Sequence, residues 1–195
     1  MNSREKILQA IKAGKPDLQP LPEKIGFASS YSNLSEKFTS VLQAIGGTLV
    51  PVQSMAEISA YVQQHYDLTQ PTISLVEGIN IGNTIAASTD DPHQYETLSL
   101  VLLQGQLGIA ENGAIWIDER NTVLRVLPFI TLNLAIVIYE SQLVGNMHEA
   151  YQHLTFPIGY GAFIAGPSKT ADIEQSLVIG AHGPKSMTVF LLSNH

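Results

Sequence analysis

A strand–helix–strand pattern between residues 48 and 76 limits the possible folds of this chain more than any other feature. Thr48–Val52 and Thr72–Val76 are short runs rich in β-branched residues, which predict two strands. Between them, Ser54 followed three residues later by Glu57 forms a capping box that predicts a helix start. Strands joined through a helix normally run side by side in the same direction, so the sheet is predicted to be at least partly parallel.

Similar patterns continue along the chain. Asparagine followed three residues later by glutamate predicts helix starts at residues 2 and 33, and a helix is expected over 146–154. Asn112-Gly113 predicts a hairpin turn. The fold class is therefore α/β, with a mixed, partly parallel sheet covered by helices. The remaining predicted strands are 98–103, 109–110, 114–117, 132–139, 162–165, 177–179 and 187–192, with 123–127 as either a strand or a helical turn.

Two regions are expected along the chain. Residues 1–32 are predicted to form an N-terminal helix and an extended arm, and residues 33–195 the α/β domain. The arm contains Pro16, Pro20 and Pro22 with little periodicity. It either packs on its own domain or reaches a partner subunit, because loops of this length are uncommon unless they have a function.

Composition excludes several classes of function. The chain of 195 residues has a net charge of −7 and only ten Lys and Arg, which argues against nucleic acid or an anionic membrane surface as a partner. No signal-peptide core follows the first residues, and no run approaches the roughly 20 apolar residues of a membrane span, so a cytoplasmic location is expected. The absence of cysteine excludes disulfides, cysteine nucleophiles and thiolate ligation of an iron–sulfur cluster by these residues.

Two glycine–proline turns provide the main candidate binding site. Each follows a short apolar run, one at Gly166-Pro167 and the other at Gly183-Pro184. Residues 171–174 are expected to begin a helix, and glycine turns and helix starts allow close approach to an anion. Two alternatives need no ligand: the hydroxyls simply cap a helix, and the His and Lys side chains are then ordinary polar residues of a surface loop. The candidate ligand-binding residues are Ser168, Lys169, Thr170, Asp172, Glu174, His182, Gly183 and Lys185.

Glu111, next to the predicted hairpin turn, is the candidate catalytic residue. A carboxylate there could act as a base or contact a ligand, but turns favour such polar residues in any case. No metal site is predicted, because His148 and His153 are five residues apart and so face different sides of a helix. No GxGxxG follows a strand, so no dinucleotide site is predicted either.

Three segments resemble a known family. GPSKTADIE and GAHGPKS, near the C-terminus, and GIAENGAIWI, at residues 108–117, resemble the motifs of the lactate utilization (LUD) domain family, in particular its small protein C type. The C-terminal motif is long and specific, whereas the N-terminal third is similar only in general character. The resemblance implies a fold like that of the coenzyme A transferase and ribose-phosphate isomerase group.

The resemblance also implies a function. Proteins of this type work with two iron–sulfur partner proteins to convert L-lactate to pyruvate. The expected role of this chain is to bind a small anion, such as lactate or a phosphate, or to organise its iron–sulfur partners, without a redox cofactor of its own. The alternative is an independent enzyme of the coenzyme A transferase or isomerase type, with Glu111 as nucleophile or base and residues 168–170 holding a phosphate.

Overall fold

The structure is a computed structural model that describes residues 2–20, 26–88, 90–154, 159–173 and 176–193. Within these ranges, the α-helices are α1 (Ser3–Ala13), α2 (Leu34–Ala44), α3 (Met55–His65), α4 (Leu127–Ile130) and α5 (Met147–His153). The strands are β1 (Thr48–Val52), β2 (Thr72–Ser74), β3 (Leu100–Gln104), β4 (Leu107–Ile109), β5 (Ala114–Asp118), β6 (Asn133–Tyr139), β7 (Leu143–Val144), β8 (Gly161–Ile164), β9 (Lys169–Ile173), β10 (Ser176–Ile179) and β11 (Ser186–Leu192).

Five of these strands form a parallel sheet in the order β1-β11-β6-β3-β2. β1 and β2 are parallel and joined through α3, as predicted, but they lie at opposite edges of the sheet and not side by side. Ser54 caps α3 by accepting a hydrogen bond from the Glu57 amide. Because all five strands point the same way, their last residues lie along one side of the sheet. We call this side the carboxyl end of the sheet and the opposite side its amino end.

Both faces of the parallel sheet are buried. Alternate residues of β6 enter two different cores, since side chains alternate across a strand. Phe38 and Leu42 of α2 belong to the first core, and Ile58 and Val62 of α3 to the second. Burial on both faces explains why the central strands are continuous apolar runs. The β6 residues of the first core are Leu134, Ile136 and Ile138, and those of the second are Ala135 and Val137.

A second sheet has the order β7-β4-β5-β8 and contains the antiparallel pairs β4–β5 and β5–β8. The predicted turn at Asn112-Gly113 joins β4 to β5. Gly113 has a φ of 69°, and a Cβ there would lie 3.0 Å from the Ile45 side chain, so both backbone and space favour glycine. The α/β class is confirmed: one sheet is entirely parallel, and the second is mixed, because β4 pairs with β7 in parallel.

The helix expected at residues 171–174 is a wrong prediction. Lys169–Ile173 is strand β9, which pairs with β10 as an antiparallel hairpin from Lys169↔Ile179 to Ile173↔Ser176. The acidic residues suggested a helix start, but the apolar segment Leu177–Ile179 supplies a β-partner for the backbone. Residues 123–127 do not form a strand, and Leu127 begins the short helix α4.

The N-terminal segment contacts the domain only in part. None of the residues of α1 is buried, although the predicted capping box between Asn2 and Glu5 is present. Further along, the Phe27 ring stacks on His148 at 4.5 Å, and the Ser29 amide donates to Glu149 at 2.7 Å. These residues therefore pack on α5 of the same chain. Among the described residues, no helix is both long and apolar enough to span a membrane.

Candidate functional site

The two predicted binding turns lie side by side. The Ser168 amide donates to the Pro184 carbonyl, and the Gly180 amide donates to the Ser168 carbonyl, each over 2.9 Å. A Cβ at Gly183 would lie 3.0 Å from the Ser168 Cβ, so only glycine allows this close approach without displacement. The structure thus brings Ser168 and Gly183 together. We call residues 166–170 and 180–185 the turn pair.

The turn pair lies at the amino end of the parallel sheet. The Lys185 amide donates to the Leu132 carbonyl at 2.8 Å, and Ser186 pairs with Asn133 at the first residues of β11 and β6. Ligands of open α/β sheets bind at the carboxyl ends of strands, so that rule does not apply to this turn pair. A cavity of about 570 Å³ is present beside it, lined by Gln70, Glu96–Ser99, Phe129–Leu132, Gly180, Ala181 and Gly183.

The polar side chains of the turn pair have different surroundings. Lys169 Nζ donates to the Ile45 carbonyl just after α2, where a cation is favourable. His182 and Lys185 are exposed, and Thr170 is half-buried. Because residues 169–173 form a strand, the helix-start amides expected to bind an anion are absent there. Asp172 lies in β9, and Glu174 lies outside the described residues.

Glu111 is placed at the beginning of α5. Its carboxylate accepts a hydrogen bond from the Met147 amide at 2.8 Å, and its own amide donates to the Gly145 carbonyl at 3.1 Å. This bond satisfies one of the free amides in the first turn of a helix. Within the described residues, no hydrogen bond joins Glu111 to the turn pair. Its position is that of a helix-capping residue.

The larger cavity lies at the carboxyl end of the parallel sheet and was not predicted from the sequence. We call it the carboxyl-end cleft, and its volume is about 670 Å³. Its walls come from the last residues of β3 and β6, from residues that follow β2, β5 and β6, and from the first residue of α3. The lining residues are Met55, Leu75, Glu77, Gln104, Glu119–Val123, Tyr139 and Gln142.

A buried ion pair fixes the loop that follows β5. The Asp118 side chain is fully buried and accepts from Arg120 Nε at 3.1 Å and from Nη2 at 2.6 Å. The Arg120 amide also donates to it, at 2.9 Å. Burial by itself raises the pKa of Asp118, but the hydrogen bonds and charge of Arg120 outweigh it and hold the pKa below its usual range.

A second ion pair holds the same loop from outside. Arg125 donates to Glu119 at 3.1 Å, and the other carboxylate oxygen of Glu119 accepts from the Gly159 amide at 3.0 Å. The Arg125 guanidinium also lies 5.4 Å from the centre of the Tyr160 ring, within cation–π range. The cleft wall is therefore anchored on two sides before any ligand arrives, and an anchored wall loses little entropy on binding.

A family model for the LUD domain matches residues 84–192. The chain belongs to the LUD-domain family. It is 31% identical over 123 residues to Lactate utilization protein C of Shouchella clausii (strain KSM-K16), covering 60% of this chain and 51% of that protein. It is 30% identical over 96 residues to Lactate utilization protein C of Geobacillus thermodenitrificans (strain NG80-2), covering 46% and 40%. The chain thus matches about half the length, or less, of these curated relatives.

The solved structures add a fold comparison. A crystal structure of a DUF162 family protein from Deinococcus radiodurans superposes with a TM-score of 0.55 at 16% identity, over 82% of this chain and 96% of that one. At this identity the likeness supports the α/β fold and nothing further. The region matched by the family model contains the turn pair and most of the carboxyl-end cleft, but not its lining residues Met55, Leu75 and Glu77.

Proposed function

We propose that this chain is a non-cluster component of a multi-protein system that oxidises L-lactate to pyruvate. The observation that supports this most is its similarity to two proteins named Lactate utilization protein C. The oxidation releases two electrons and two protons, and ordinary side chains do not accept electrons well. Since these 195 residues contain no cysteine, we assign the electron acceptor to separate iron–sulfur proteins.

We further propose that the turn pair binds a small anion such as lactate or a phosphate. Ser168 and Gly183 are adjacent there, and the exposed Lys185 and His182 belong to the same turns. A lysine is a flexible point charge that suits a carboxylate or phosphate. In this role the chain would hold the anion or help to organise the iron–sulfur proteins around it.

The alternative, a coenzyme A transferase or isomerase using Glu111, lacks a supporting observation. A nucleophilic carboxylate needs access to its substrate. The Glu111 carboxylate is exposed, but it lines neither of the two cavities described above, and one of its oxygens accepts from the Met147 amide at the start of α5. The alternative therefore stays a prediction from the sequence.

The test is a lactate-to-dye electron-transfer assay with the purified chain, its candidate iron–sulfur partners, and the mixture. We expect the chain alone to be colourless and inactive, and we expect the mixture to require it. Lys185→Ala should lower the lactate response of the mixture, whereas Lys12→Ala, at an exposed lysine of α1, should not. Lactate oxidation by the chain alone, or an unchanged rate when it is omitted, would refute the subunit role.

A further inference from the structure

The carboxyl-end cleft is placed and sized for a ligand. It lies where the strands of a parallel sheet end, which is the usual ligand position in open α/β sheets. Its volume of about 670 Å³ falls within the range of small-molecule sites, and it combines apolar residues with convergent polar ones. The lactate and phosphate considered above are far smaller than this volume.

Hydrogen bonds to the backbone fix which end of each amide in the cleft is free. Gln104 Nε2 donates to the Val137 carbonyl at 3.1 Å, and Asn121 Nδ2 donates to the Gln104 carbonyl at 2.9 Å. Flipping either amide would place two oxygens against each other, so both side-chain oxygens are left free as acceptors. The Gln142 oxygen accepts from the Tyr139 amide at 2.9 Å, which leaves its NH₂ free as a donor.

The charged residues add one more acceptor and one more donor. The Glu77 carboxylate is exposed and has no hydrogen-bond or ion-pair partner in the part of the chain that the structure describes. Arg120 uses Nε and Nη2 on Asp118 and Nη2 also on Gln106, at 3.0 Å. Its Nη1 has no partner among the described residues. Besides the hydroxyls of Thr122 and Tyr139, the lining residues therefore carry three unused acceptors and two unused donors. The two donor residues, Arg120 and Gln142, also line a smaller neighbouring cavity.

We infer that the carboxyl-end cleft binds an uncharged polyhydroxylated ligand. A hydroxyl group both donates and accepts, so several hydroxyls on one molecule satisfy this mixture of groups. A phosphate would meet Glu77 and Glu119, and the only cation in the lining, Arg120, is already neutralised by Asp118. An ammonium group only donates, so it would satisfy the acceptors but leave the Gln142 NH₂ and Arg120 Nη1 without an acceptor.

The test is a titration of the whole chain with myo-inositol, followed by ligand-observed NMR. Cyclohexanol has the same ring with one hydroxyl, and cyclohexylamine has the same ring with an ammonium group. We expect myo-inositol to bind and the two single-group rings and inorganic phosphate to bind much more weakly at this cleft. Glu77→Gln should raise the myo-inositol dissociation constant roughly tenfold or more, because it removes a charged acceptor.

Glu36→Gln is the matched control, since Glu36 is a carboxylate of α2 outside the cleft, and it should leave the titration unchanged. Absence of myo-inositol binding, equal binding by cyclohexanol, or preference for cyclohexylamine would each overturn the proposal. So would an unchanged dissociation constant in Glu77→Gln. The titration contains neither lactate nor the iron–sulfur proteins, so its outcome is independent of the proposed role in lactate oxidation.

Discussion

The two ends of the parallel sheet are built in different ways. At the amino end, the two turns are joined by main-chain hydrogen bonds, and the side chains of His182 and Lys185 are exposed. At the carboxyl end, the cleft wall is held by side chains, above all by the pair of Asp118 and Arg120. Substitutions of exposed side chains should therefore change the stability of the fold little at the amino end, and substitutions of the ion-paired side chains should lower it at the carboxyl end. At the amino end, stability should depend mainly on backbone conformation.

The largest expected effect is at the carboxyl end. Arg120→Ala leaves the buried Asp118 carboxylate without its cation, and we expect the free energy of unfolding to fall by about 2 kcal/mol. The value is at the low end for buried pairs because 59% of the Arg120 side chain is exposed. Urea unfolding measures this loss of free energy.

Arg125→Ala is the comparison variant, because it breaks the more exposed pair with Glu119. Here the loss in free energy of unfolding should stay below about 1 kcal/mol. Equal losses in both variants would contradict the comparison.

The same pair should give a pH signature. The pKa of Asp118 is lower in the folded chain than the value of about 3.9 for a free aspartate. Its pairing therefore stabilises the fold above that free value and is lost as pH falls through the folded value. The difference in unfolding free energy between wild type and Arg120→Ala should be largest near neutral pH and shrink below about pH 4. A difference that grows on acidification would show that Asp118 is not the partner that matters.

A smaller effect is expected from backbone strain in the turn pair. Gly166 has a φ of 72°, and a Cβ there would lie 2.8 Å from the Ile45 carbonyl oxygen. Gly166→Ala should cost about 2 kcal/mol at most, from the left-handed backbone and the clash together. Gly78, beside the cleft, has a φ of 81° with no atom within 4 Å of the same position. Gly78→Ala should therefore cost about 1 kcal/mol, and the difference in melting temperature isolates the clash.

The smallest effect is expected at Lys185. Its side chain is exposed, and the bond from its amide to the Leu132 carbonyl survives truncation. Lys185→Ala should change the free energy of unfolding by less than about 0.5 kcal/mol. Thermal unfolding at pH 7 measures this. A loss comparable to that of Arg120→Ala would mean that the amino end also depends on side chains, and the contrast between the two ends would fail.

Sequence reasoning succeeded where structure is encoded locally. The capping residues Asn2, Asn33 and Ser54 predict helices that the structure contains, because a cap and the amides it satisfies are three residues apart. Asn112-Gly113 predicts the β4–β5 turn for the same local reason. The helix predicted at 171–174 was wrong because the choice between helix and strand there depends on pairing with residues 176–179.

The carboxyl-end cleft could not be predicted from local sequence patterns. Glu77, Gln104, Asn121 and Gln142 are far apart in sequence and match no motif. Glu77, Gln104 and Gln142 meet because they lie at or just after the ends of parallel strands, and Asn121 joins them from the loop after β5 of the second sheet; spacing along the chain does not reveal this. One signal was available: Gln104 follows the continuous apolar run that forms β3 of the parallel sheet. Polar residues directly after buried strands mark the carboxyl end of a parallel sheet.

The isolation of α1 has a consequence for how the chain responds to temperature. A helix without buried residues gains nothing from the cooperative melting of the core, so its helix–coil equilibrium is that of a short peptide. A helix of eleven residues is only marginally stable in water. The Asn2–Glu5 cap contributes about 1 kcal/mol to its stability. On heating, the helical circular dichroism signal of α1 should decline gradually, well before the sharp transition that reports the core of the domain.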